Sequence, residues 1–150
     1  MSHFVFRFQP VLSVKKQLED NKKNELGKAV KRFEEEKDEL QRLETDRQEC
    51  MDEMKQRASQ SIDVKSLREY NSFLAHLRQS VQVQKQNVRY AEGNVESCRG
   101  ELVKAVQERE TLDKLKERQL WEFTRHQLAK EQKFNDEIAG YAHNKKVAGE

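Results

Sequence analysis

The chain has 150 residues, of which 35% are hydrophobic and 37% charged, with a net charge of +2. A compact domain runs nearer ~45–50% apolar and ~25% charged, so this composition excludes a ball with a thick core, while its regular apolar spacing and balanced charge argue against disorder. The balance of charge gives no case for nucleic acid, and no run of ~18 apolar residues is present to span a bilayer.

The chain opens on "FVFRFQPVL", Phe4 to Leu12, with phenylalanines at alternate positions before the only proline. Pro10 suits the first turn of a helix, where its missing N–H would be unpaired anyway. Lys, Glu, Gln, Leu, Arg and Ala dominate from there, all good helix formers. We expect an N-terminal aromatic segment over 1–9 and a first helix over about 10–58. Within it Phe33, Leu40, Leu43, Cys50 and Met54 form a heptad stripe with gaps at Glu36 and Arg47.

The stretch "ASQSIDVKSL", 58 to 67, is the weak point of the helical pattern. Ser and Asp compete with the helical backbone for hydrogen bonds and favour caps and turns. A turn is expected at about 59–63, with Asp63 or Ser61 capping the next helix.

The second helix, expected over about 64–140, is better patterned. With Leu67 at position a, the seam runs Leu67, Tyr70, Leu74, Leu77, Val81, Gln84, Val88, Ala91, Val95, Cys98, Leu102, Ala105, Arg109, Leu112. Only Gln84 and Arg109 break it. A sustained heptad with charged flanks is the signature of a coiled coil. Beyond Leu112 the register slips, and Leu120, Trp121, Phe123, Phe134, Ile138 and Tyr141 continue an apolar face. Residues 141–150 read as a short basic tail.

The fold class predicted is all-α, a single antiparallel two-helix coiled-coil hairpin, elongated. At ~1.5 Å per residue the helices would be ~75 Å and ~115 Å long. A turn near 61 sets residue 12 beside about residue 110, so the second helix overhangs the first by about 25 residues. The rival architecture is a parallel dimer of two long chains; the serine-rich break favours the hairpin, and with it a monomer. The hairpin brings Phe4, Phe6 and Phe8 beside Trp121 and Phe123, near the overhang. An end so rich in aromatics is either a small closing core or a surface kept for a partner.

Nothing in the pattern suggests catalysis. There is no glycine-rich phosphate loop and no nucleophile paired with a base. No two histidines stand at i,i+4, and Cys50 and Cys98 have no metal spacing, so neither metal nor cofactor nor small-molecule substrate is expected. The two cysteines read as reduced thiols of a cytoplasmic protein.

Four stretches, in order along almost the whole chain, resemble the FliJ family of flagellar type III export. They are "FVFRFQPVL", "YNSFLAHL" (70 to 77), "ERETLDKLKERQ" (108 to 119) and "EQKFNDEIA" (131 to 139). The resemblance implies a stalk-like, non-enzymatic hairpin whose termini-bearing end enters the export ATPase ring. It also implies docking on the linker of the export gate protein FlhA, capture of export chaperones, and a place in the cytoplasm at the inner face of the cell membrane. Ring-binding residues so implied are Phe4, Phe6, Phe8, Gln9, Leu12, Gln132, Lys133, Asp136 and Glu137; gate-binding ones are Phe73, Leu77, Ser80 and Gln84. Phe73 falls at position g, so the seam does not need it, whereas Leu77 at d also fits plain core. The alternatives are the stalk of a virulence-type secretion system and a generic structural coiled coil.

Overall fold

The computed structural model describes residues 3–147. It consists of two helices, α1 (Gln9–Gln60) and α2 (Val64–Val147), packed as an antiparallel hairpin, with no strand among the described residues. At the start of α1 the N–H of Leu12 donates to the Phe8 carbonyl at 2.9 Å, which leaves Pro10 in the first turn, where no donor is missed. The alternating phenylalanines therefore belong to a chain entering a helix, and not to a strand.

The loop is three residues, Ser61 to Asp63, shorter than the 59–63 expected. Ser61 has φ 118°, a region that favours glycine because a Cβ is crowded there. Its N–H closes α1 on the Arg57 carbonyl at 3.2 Å. Of the two caps that the sequence allows, Asp63 is the one used: its carboxylate accepts the Ser66 N–H at 3.4 Å, and hydrogen bonding from Ser66, its side chain first and then its backbone, holds the Asp63 pKa below the ordinary aspartate value. The cap's contribution is therefore present above the usual aspartate range and fades as pH falls through the lowered value. Ser61→Gly should raise stability by about 1 kcal/mol by releasing the strained backbone, read as a higher denaturation midpoint at unchanged slope.

The packing divides into two compact units. The first comprises residues 1–18 and 105–150. There Leu12 is fully buried and Phe6 is 5% exposed. Lys15 pairs with Glu108 at 2.7 Å, and the Lys116 ammonium donates to the Gln9 side chain at 2.8 Å. Numbers that fall along α2 as they rise along α1 are the mark of antiparallel helices.

The second unit, residues 19–104, carries most of the seam. Val81 is almost completely buried, and Leu74 and Leu77 form a core cluster with Cys50, flanked by Leu43, Met51, Met54 and Tyr70. Burial pushes the Cys50 thiol above its ordinary pKa, which suits a small apolar filler. Both cysteines are free thiols. Leu67, the expected first seam residue, stays partly open at the loop end.

The irregular positions of the two stripes meet. Gln84, only 7% exposed, donates from Nε2 to the Glu36 carbonyl at 2.9 Å and to its carboxylate at 2.6 Å. Arg32 clamps the same carboxylate at 2.6 Å. The break in one seam thus fills the gap in the other. A buried polar layer of this kind fixes register at a cost in stability. Gln84→Leu alone leaves the part-buried Glu36 carboxylate and carbonyl without one of their donors, Arg32 remaining as the carboxylate's partner, and should cost about 1 kcal/mol. Adding Glu36→Leu should restore stability to the wild-type level or above, in a double-mutant cycle followed by urea denaturation.

The tail expected at 141–150 is corrected by the structure. α2 continues to Val147, beyond which the residues lie outside those described. Gly140 costs only ~1 kcal/mol in a helix interior, and no proline follows to stop the propagation.

Candidate functional site

Two surfaces hold the residues singled out above. The first belongs to the unit that contains both chain ends. Phe4 packs on Phe123 with ring centroids 5.7 Å apart, and Phe6 meets Phe8 edge-on at 6.0 Å. Of the implied ring-binding residues, Phe6 and Leu12 are consumed by the core, Phe4 is half-buried, and Phe8 and Gln9 are exposed. Gln9 is held by Lys116.

Along α2 every residue from Leu128 to Lys145 is exposed, including Gln132, Lys133, Asp136 and Glu137. Phe134, Ile138 and Tyr141 are the large apolar side chains there, at 63%, 53% and 76% exposure. Their spacing of four and three sets them on one side of the helix. Leu120 and Phe123, fourteen and eleven residues before Phe134, share that side. Trp121 is also open, with the Arg125 guanidinium over its ring at 5.4 Å. Exposed apolar patches rimmed by polar residues commonly mark interaction sites, and aromatics supply much of the contact area there.

The second surface lies on the other unit. Phe73 is 51% exposed, as position g implies. Ser80 is half-buried, Leu77 sits in the core cluster and Gln84 is tied to Glu36. Thus only Phe73 and the edge of Ser80 are offered outward. Around Phe73 the wall is made by Arg57, Ser66, Glu69 and Tyr70. The Tyr70 hydroxyl donates to Glu53 at 3.0 Å, and the Arg57 guanidinium lies 5.6 Å from its ring centroid. Burial, then the Glu53 bond, raises the Tyr70 pKa, so it remains a neutral donor. Next along the same flank come His76, Ser80 and Val83, facing Glu39 and Leu43 of α1. His76 and Val83 were missed in the sequence; their signal was a place one row outside Phe73 and Ser80.

No cluster of three or more His, Cys, Asp or Glu among the described residues is placed to hold a metal ion. No helix among them is long and apolar enough to cross a membrane. The chemistry on offer is adhesion through aromatic and aliphatic side chains on rigid helices.

Fold and surfaces together define an antiparallel coiled-coil hairpin with aromatic side chains exposed on two of its surfaces. The family model described as flagellar FliJ protein matches residues 3–148, and the chain belongs to that family, structural coiled-coil proteins associated with type III export. Among solved structures it is similar to a Chlamydia trachomatis protein described as a YscO homologue. The TM-score is 0.70 over 95% of this chain and 96% of that one, at 22% identity, a likeness of fold. A comparison with curated protein sequences gives no match.

Proposed function

We propose that this chain is the stalk of the flagellar export apparatus. Its termini-bearing unit enters the ring of the export ATPase, and the Phe73 flank docks on the linker of the gate protein FlhA. By the same token it works in the cytoplasm at the inner face of the membrane and hands on export chaperones. The observation that carries this reading is the row of Phe134, Ile138 and Tyr141, exposed on a stretch of α2 that no described residue covers. A hairpin that needed only to close itself has no use for large aromatics past the end of its core. They supply wide, rigid contact area, the kind that dominates interface energetics.

The family resemblance supports the ring and the gate as the partners. Flagellar rather than virulence-type export is favoured because the matching model is the flagellar one. The test is reconstitution with purified components: the full chain, the export ATPase and the cytoplasmic part of FlhA of the same cell. We expect the chain to co-elute with each, and to change ATP hydrolysis by the ATPase. A chain that binds neither and only associates with itself is a generic coiled coil.

A further inference from the structure

Resting on the gate-docking reading, we propose that the docked gate segment is an amphipathic α-helix of about twenty residues, lying in a groove along α2 from Phe73 to Asn94. Four observations point to it. First, the two flanks of the seam differ. One carries Arg78, Lys85, Glu92 and Arg99 at seven-residue spacing, long charged side chains whose stems cover a seam. The other carries Phe73, Ser80, Asn87 and Asn94 at the same spacing. Short side chains after Phe73 leave that flank uncovered.

Second, the open flank is a succession of hollows. The first surrounds Phe73, the next lies under Ser80 and Val83, and the third runs between Arg32 and Glu36 of α1 and Asn87, Tyr90 and Asn94 of α2. Their floor includes seam residues: Leu43, Gln84 and Ala91. An occupant would therefore extend the hairpin's own core. At Glu101 the flank closes, because that carboxylate takes the Lys22 ammonium at 2.7 Å.

Third, the next row outward, His76, Val83 and Tyr90, also repeats every seven residues. Val83 and Tyr90 are well exposed. Two adjacent rows of this period are the pattern that a third helix reads in a coiled coil.

Fourth, an extended peptide has nothing to gain here. The backbone donors and acceptors of α1 and α2 are spent within the helices, so no sheet edge is offered for strand addition. A helix brings its own backbone bonds satisfied. From Phe73 to Asn94 the groove is ~32 Å long at the helical rise.

The test uses the full chain and a synthetic peptide of the FlhA linker, with affinity read by fluorescence anisotropy and helicity by circular dichroism. We expect the mixture to be more helical than the sum of its parts. Asn87→Arg and Tyr90→Ala, far from Phe73, should each weaken binding about tenfold or more, and Glu92→Lys on the opposite flank should not. Binding without gain of helix overturns the proposal, as does loss of binding only on Phe73→Ala; both leave gate docking standing. No binding by the wild-type chain overturns both. Self-association of the chain that Asn87→Arg abolishes would assign the groove to a second copy and overturn it too.

Discussion

A chain carrying serine at Phe134, Ile138 and Tyr141 should keep its helix content and melting temperature and lose its effect on ATP hydrolysis by the export ATPase. The first half follows from burial. All three side chains are more than half exposed, and substitutions that remove no buried contact leave stability nearly unchanged. Serine is about as good a helix former as isoleucine or the aromatics. The second half follows from the kind of residue lost. Aromatic anchors at the centre of an interface cost about 2 kcal/mol or more each when truncated, which is about thirtyfold in affinity. Losing two anchors and the aliphatic between them should bring the ATPase back to its rate without the chain. Deleting residues 1–9 is the blunter experiment. It removes Phe6 from the core beside the fully buried Leu12, so lost activity would be mixed with a loosened first turn. Circular dichroism separates the two cases. If the serine variant stays folded and still acts on the ATPase as the wild type does, the stripe is not what the ring grips.

The seam was legible because a heptad is a statement about one helix, written in that helix alone. From Tyr70 to Leu112 every position assigned to it is buried or partly buried, Gln84 and Arg109 included. What the pattern left open was how the helices face one another. Glu36 and Gln84 each looked like a defect until the fold set them 2.6 Å apart. Arg47, the other gap in α1, gains no such mate, and its Nε is buried without a hydrogen-bond partner.

The opening phenylalanines show the opposite failure. Alternation made Phe4, Phe6 and Phe8 look equivalent, but the chain turns at Arg7 and Phe8 to enter α1. That turn sends Phe6 inward, leaves Phe4 on Phe123, and holds Phe8 at the rim. Likewise Ser80, Asn87 and Asn94 stood in plain view at seven-residue spacing. A short side chain opens a groove only when the second helix is beside it, which one helix's sequence does not show.

The same distinction, core against surface on adjoining positions, gives the second large effect. Leu77→Ala should cost about 2–5 kcal/mol, because it opens a cavity among Leu74, Cys50 and their neighbours that rigid helices cannot collapse. Phe73→Ala removes a larger side chain, yet should shift stability far less, since half of Phe73 already faces water. Binding should divide differently. Phe73→Ala should weaken the complex with FlhA at unchanged melting temperature, because an exposed aromatic on a rigid helix is what an interface anchor looks like before its partner arrives. Leu77→Ala should weaken it only to the extent that the second unit unfolds, so that in a stabilising osmolyte its affinity returns towards wild type. Chemical denaturation gives the stabilities, and titration of each variant with the cytoplasmic part of FlhA gives the affinities. A loss on the scale of ~3–5 kcal/mol for Phe73→Ala would place that ring in the core. Unchanged affinity for FlhA would leave its exposure without the role proposed for it.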